Sequence, residues 1–498
     1  MSSETEIRPF RVDMPDEAIA DLRRRVAATR WPSRELVADA SQGVQQAMLH
    51  ELTRYWAAGH DWRRCEAELN ALPQFTTEID GLGIHFIHVR SRHENALPLI
   101  ITHGWPGSVI ELLGVIGPLT DPAAHGGSAE DAFDLVLPSL PGYGFSGQPA
   151  EVGWDAGRTA QAWAELMTRL GYDHYVAQGG DQGASVTDAM ARQAPPGLAG
   201  IHLNFLTGFP TDVLAAVFGG SLPRAGLFKR VAVALLAAHA EKKQPTALDA
   251  VAALTRRGYI IEMPEHPQTI GYALTDTPAG LAAWMLDHDA DSYQKITRAF
   301  LDKQPAGGLT RDHILDNITL YWLTGTATSS ARMYWENGRS IAALIASGKK
   351  PPELSLPVGF TVFPGEIFQA PRSWAEKVYP NLSYFNEAAK GGKNRNCSQR
   401  SSARRSGQCA NHSAHPGLAV THPGPRPHDA TRNTARSPVT TSQEKTMSTN
   451  VPKRLWRDFG RARQRRRLCA AAPSRHRARM ENRQRPVRHA ARIVLGRR

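Results

Sequence analysis

Gly179-Gly180-Asp181-Gln182-Gly183-Ala184 sets a single carboxylate among small residues. A β-rich run, Tyr175 to Gln178, precedes it, and a helical stretch, Ser185 to Ala194, follows. A strand that turns abruptly into a helix crowds its own backbone, so small residues must flank the turn. The central side chain is lifted above the sheet at a helix N-terminus. Asp181 holds that centre. The partial positive charge of the helix start favours the ionised form that a carboxylate nucleophile needs. From this run alone a second reading stays open, in which Asp181 caps a helix starting at Gln182. A phosphate-binding loop is disfavoured, since no Gly-Lys-Ser/Thr ending follows.

A second segment, His103-Gly104-Trp105-Pro106-Gly107-Ser108, follows the apolar run Leu97 to Thr102. A turn of this kind can aim the Trp105 N–H at the Asp181 turn. With the N–H of Gln182 it would make a two-donor site for a developing oxyanion. Read alone, it is equally an ordinary Gly/Pro turn.

The elements that must position these groups alternate. Phe75–Ile79 and Ile84–Val89 flank Asp80-Gly81-Leu82-Gly83, a hairpin signal. Leu97–Thr102, Phe133–Leu137 and Tyr175–Gln178 are short apolar strands with a helical stretch, Ala156 to Leu170, among them. Such alternation predicts an α/β fold: a mostly parallel sheet covered by helices, its site at the carboxyl ends of the strands. Before it come helices. Ile19, Leu22 and Val26 recur at three- and four-residue steps, and Met48 to Trp62 reads as a further helical stretch, both packing onto the body.

The 498 residues carry a formal net charge of +12, but unevenly. Residues 393–498 hold 26 Lys+Arg against 4 Asp+Glu, whereas residues 1–392 hold 33 against 43. A mildly acidic body therefore carries a very basic tail. No run of about 18 apolar residues excludes itself from water, so no membrane span is expected. The polar, acidic start lacks a signal peptide's apolar stretch. Four scattered cysteines, Cys65, Cys397, Cys409 and Cys469, make no disulfide framework, and a cytoplasmic location is the default.

From about Ile7 to Gly392 the chain resembles epoxide hydrolases of the microsomal type within the α/β-hydrolase superfamily. The resemblance rests on Arg8-Pro-Phe-Arg-Val, Arg30-Trp-Pro, His103-Gly-Trp-Pro-Gly-Ser, Pro141-Gly-Tyr-Gly-Phe-Ser and Gly179-Gly-Asp-Gln-Gly-Ala. Gly271-Tyr-Ala-Leu-Thr-Asp-Thr-Pro-Ala-Gly, Tyr321-Trp-Leu-Thr-Gly-Thr and Phe363-Pro-Gly-Glu continue it. It implies an N-terminal helical extension over 1–74, a core over 75–209, a helical cap over 210–352 and a shortened second core part over 353–392. It also implies roles. Asp181 attacks an epoxide carbon and forms an ester, while Trp105 and Gln182 supply the oxyanion N–H groups. Tyr259 and Tyr334 hold and protonate the epoxide oxygen, and Glu366 orients a histidine that activates water. No cofactor or metal is implied; the partners are a small epoxide and water, and a homodimer is compatible with the pattern.

The pattern breaks at the base. Where that family has Gly-Gly-His-Phe, this chain has Gly391-Gly392-Lys393-Asn394. A lysine is cationic near neutral pH and accepts no proton unless strongly desolvated. The tail offers His412, His415, His422, His428, His476 and His489, but no motif links any of them to Glu366. Low hydrophobicity and high charge predict disorder from 393 on. An Arg- and Ala-rich, pattern-free continuation is also what a shifted reading frame in a GC-rich gene produces. Impaired turnover is therefore expected. Two alternatives are a haloalkane dehalogenase-like enzyme, which the tyrosine pair disfavours, and an inactive basic-tailed binding protein. Arg461-Ala-Arg-Gln-Arg-Arg-Arg467 suits nucleic acid electrostatically, but no recognition module or stacking aromatics accompany it, so no specific nucleic-acid partner is expected.

Overall fold

A computed structural model describes residues 6–208, 258–305, 309–348, 351–364, 366 and 369–388. Lys393 and the basic tail lie outside these residues.

Among the described residues the sheet has nine strands: β1 (Arg8–Pro9), β2 (Gln74–Ile79), β3 (Leu82–Val89), β4 (Leu97–Thr102), β5 (Phe133–Pro138), β6 (Tyr175–Gly179), β7 (Leu198–Leu203), β8 (Val358–Val362) and β9 (Leu382–Glu387). Their order is β1-β2-β3-β5-β4-β6-β7-β8-β9. The first three strands run antiparallel up to the β3–β5 pair, and every pair from β5 to β9 is parallel. The expected α/β class is met, with helices on both faces. The expected hairpin forms, but its turn has two residues and not four: Leu82 and Gly83 join β3, Ile79 pairs with Leu82, and Asp80 and Gly81 both take positive φ, 55° and 75°. That combination matches the right-handed twist of the strands it joins. The central strands β4 and β5 are buried along most of their length, as a parallel sheet covered on both faces requires.

The N-terminal segment folds as α1 (Asp16–Ala27), α2 (Gln46–Ala58) and α3 (Trp62–Asn70). Ile19, Leu22 and Val26 face inward on α1, as their spacing predicted. Met48 to Trp62 is not one helix. It breaks at Gly59-His60-Asp61, and Asp61 caps the new helix by accepting from the Arg63 N–H at 3.0 Å. A short acceptor side chain ahead of a helical run outweighs the apolar periodicity that bridges the gap.

Three helices accompany the first part of the sheet: α4 (Leu113–Thr120), α5 (Ala156–Arg169) and α6 (Gln182–Gln193). Between β7 and β8 the chain inserts a helical block. Its described helices are α7 (Gly258–Glu265), α8 (Pro267–Asp276), α9 (Pro278–Leu286), α10 (Ala290–Leu301), α11 (Arg311–Leu323) and α12 (Ala327–Ser347). The N-terminal helices bind this insertion. Trp56 Nε1 donates to Thr319 Oγ1 at 2.8 Å, and the Tyr55 hydroxyl donates to Asp312 Oδ1 at 2.6 Å. After β8 a last described helix, α13 (Arg372–Val378), leads to β9. Among the described residues no helix is long and apolar enough to cross a membrane.

Candidate active site

Strand register builds the site. β4 and β6 are parallel neighbours, and Thr102 pairs with Gly179. Both strands therefore end side by side, which brings the His103–Ser108 segment against the Asp181 turn. The turn is as crowded as its small residues implied. A Cβ on Gly179 would lie 2.0 Å from the Gly183 carbonyl oxygen, and one on Gly183 would lie 2.1 Å from the Thr102 carbonyl oxygen. On Gly104 it would meet the Asp181 Cβ at 2.4 Å.

Asp181 itself has φ 54° and ψ −123°, a conformation that side-chain-bearing residues rarely adopt. Strain of this kind costs on the order of 1–3 kcal/mol and persists only where the surroundings enforce it. Asp181 stands at the N-cap position of α6, yet its side chain makes no capping bond. The capping alternative is thereby overturned. Instead the Trp105 N–H donates to Asp181 Oδ1 at 2.8 Å. The Trp105–Pro106 bond is cis. Gln182 opens α6, so its backbone N–H belongs to a first turn that has no intrahelical acceptor. Its side chain is fixed from the insertion, where Asn337 Nδ2 donates to Gln182 Oε1 at 2.8 Å.

The two tyrosines come from different helices and meet over Trp105. Tyr259, near the start of α7, has its ring 4.7 Å from the Trp105 ring. Tyr334, on α12, stands edge-on to both, 6.1 Å from Tyr259 and 6.1 Å from Trp105. The Tyr334 hydroxyl is buried near the Gln182 side chain, with no hydrogen bond of normal geometry among the described residues. Burial, and then the Asp181 charge, push its pKa well above the ordinary 10. It is thus a neutral donor facing a carboxylate. Tyr143, from the Pro141-Gly-Tyr-Gly-Phe-Ser motif, is fully buried and feels the same two influences.

Glu366 is buried beyond the carboxyl end of β8, at 8% exposure. The residue it was expected to orient, at position 393, lies outside the described residues. The structure thus brings Asp181, Trp105, Gln182, Tyr259 and Tyr334 together, with Glu366 past the end of another strand. His103, in the loop itself, is committed elsewhere. Its Nδ1 faces the Gly104 carbonyl at 3.1 Å, its Nε2 accepts from the Leu140 N–H at 3.1 Å, and burial pushes its pKa down to about 4.

Sequence reasoning missed His288. It is 1% exposed, its Nδ1 lies 2.8 Å from Asp289 Oδ2, and its ring stacks on Tyr259 at 5.0 Å. No local pattern announces it, since a lone His-Asp at the start of a helix reads as a cap. Asp289 does also cap α10, accepting from the Ser292 N–H at 2.7 Å.

Comparison with known proteins agrees with this geometry. The epoxide hydrolase N-terminus family matches residues 7–112. The chain is 51% identical over 388 residues to a Stigmatella aurantiaca protein named "Putative epoxide hydrolase", covering 78% of this chain and 80% of that one. It is 35% identical over 401 residues to epoxide hydrolase 1 of Sus scrofa, covering 78% and 85%. The crystal structure of juvenile hormone epoxide hydrolase from Bombyx mori superposes with a TM-score of 0.60 at 26% identity, over 79% of this chain and 90% of that one. The Aspergillus niger epoxide hydrolase gives 0.61 at 28%, over 80% and 93%. Those spans match the acidic body in length and leave room for the basic tail outside them. The chain belongs to the epoxide hydrolase family and has the α/β-hydrolase fold.

Proposed function

We propose that this chain opens epoxides through a covalent ester on Asp181. The observation that carries the reading is the 2.8 Å bond from the Trp105 N–H to Asp181 Oδ1, on a carboxylate held in a strained turn, with two tyrosine rings against Trp105. With Oδ1 held, Oδ2 is the attacking oxygen. It bonds to an epoxide carbon as the ring C–O bond breaks, and the freed oxygen takes a proton from Tyr259 or Tyr334. The tyrosine regains its proton from solvent. A phenol suits this task because it is neutral near pH 7 and strengthens its hydrogen bond as the alkoxide develops. It suits an oxygen leaving group better than a halide.

In the second step water adds to the ester carbonyl carbon. Oδ1 becomes the oxyanion, and the N–H groups of Trp105 and Gln182 stabilise it. The diol then leaves and the carboxylate is restored. The described helices of the insertion, α7 to α12, act as a cap over the site, and α1 to α3 brace that cap. The base for the water belongs at position 393, oriented by Glu366. Lys393 is charged at neutral pH and takes no proton, so the ester accumulates.

The test is mass spectrometry of the full chain after incubation with an aryl epoxide. A stoichiometric adduct on the Asp181 peptide is expected, absent in Asp181→Asn. Rapid steady turnover without an adduct, or no reaction at all, would overturn the proposal. Lys393→His should shorten the lifetime of the ester.

A further inference from the structure

The segment that carries the Trp105 N–H is held by α11 of the insertion, at three consecutive residues. Asn317 Nδ2 donates to the Pro106 carbonyl oxygen at 2.6 Å, and Asn317 Oδ1 accepts the Ser108 hydroxyl at 2.7 Å. One turn further along, the Tyr321 hydroxyl donates to the Gly107 carbonyl oxygen at 2.7 Å. Residues four apart share a helix face, so both side chains reach the same loop. Gly107 also packs closely on Glu111: a Cβ there would lie 1.9 Å from Glu111 Oε2.

α11 is itself pinned from another side. Asp316 Oδ1 lies 2.9 Å from His60 Nε2, and Asp316 Oδ2 accepts from Arg64 at 2.6 Å. Trp56 reaches Thr319 on that side. A continuous set of polar contacts therefore runs from the N-terminal helices through α11 to the Pro106–Ser108 carbonyl and hydroxyl groups. It ends one residue from the N–H that meets Asp181.

We propose that Asn317 is a positioning residue for ester formation, with Tyr321 as its second hold. Together they fix the loop so that the Trp105 N–H stays on Asp181 Oδ1. This rests on the reading of Asp181 as nucleophile. The side chain must be an amide, because it donates to one backbone oxygen and accepts from a hydroxyl at the same time. Aspartate only accepts and leucine does neither. Misplacing a reacting group by about 1 Å costs up to about 10²-fold in rate.

The experiment follows adduct formation on Asp181 in single turnover, with the full chain and an aryl epoxide at several concentrations. The limiting rate and the half-saturation concentration are read separately. Asn317→Leu and Asn317→Asp should lower the limiting rate about 10- to 100-fold at nearly constant half-saturation. Tyr321→Phe should lower it about 3- to 10-fold. The fraction of chains finally esterified reports folding, and should stay near that of the wild type. If Asn317→Leu does not fold, Tyr321→Phe and Ser108→Ala carry the same comparison. A wild-type adduct with unchanged rates in these variants overturns the positioning role alone. No adduct in the wild type overturns the Asp181 reading and this inference with it.

Discussion

The Trp105 N–H donates to Asp181 Oδ1 at 2.8 Å, although the two residues belong to different strand–loop units and meet only because β4 and β6 are neighbours. The bond leaves Asp181 in a backbone conformation with φ 54°. Strain and function should therefore separate. Asp181→Gly relieves the strain and should raise stability by about 1 kcal/mol in urea unfolding, while abolishing the adduct. Equal or lower stability would mean that the carboxylate's own hydrogen bond outweighs the strain.

A glycine of the turn and one outside it differ sharply in what they tolerate. Gly183→Ala brings a Cβ to 2.1 Å from the Thr102 carbonyl oxygen and should cost about 3 kcal/mol or more, seen as a lower urea midpoint or loss of soluble protein. Gly258→Ala meets nothing within 4 Å and serves as the neutral control, at under about 0.5 kcal/mol.

Tyrosine donation fixes the pH dependence of ring opening. The proton donor must be protonated, and the Tyr334 pKa is raised above 10 by burial first and by the Asp181 charge second. Its donor form is thus present throughout pH 6–10 and is lost only as pH rises further. The single-turnover rate should show no alkaline fall up to pH 10. Tyr334→Phe should lower that rate about 10²-fold. A fall centred near pH 9 would assign the proton to another group.

Asp316 should matter to stability out of proportion to its size. Its carboxylate is 4% exposed and serves both His60 and Arg64. Asp316→Ala leaves a buried histidine and a half-exposed arginine without that acceptor, which should cost about 3 kcal/mol. Pairing it with His60→Leu should recover part of the loss, since the second change removes the orphaned group. Additive losses would show that the two do not act as a unit.

Much of the fold was readable locally. β4 was predicted at its observed bounds, and α1 buried the three residues its spacing marked. The Asp181 turn was readable because its demand for small residues acts on neighbours in sequence. The break within Met48–Trp62 was missed because Asp61 and Gly59 act over two or three residues, below the span that periodicity reads. His288 and Asn317 were illegible as parts of the site. Each acts across the fold, and neither sits in a local pattern that differs from an ordinary helix.

The sequence by itself determined that a carboxylate would stand at a strand-to-helix turn, because backbone crowding there permits few residue types. It also determined that the acidic body stops where a histidine was expected, because charge and composition change at Lys393. Only the tertiary structure decided which N–H meets that carboxylate and which rings pack on the Trp105 that supplies it. It also decided that α11 holds the intervening loop. Those contacts join strands and helices far apart in the chain, so sheet register and helix packing set them, and no local residue pattern encodes either.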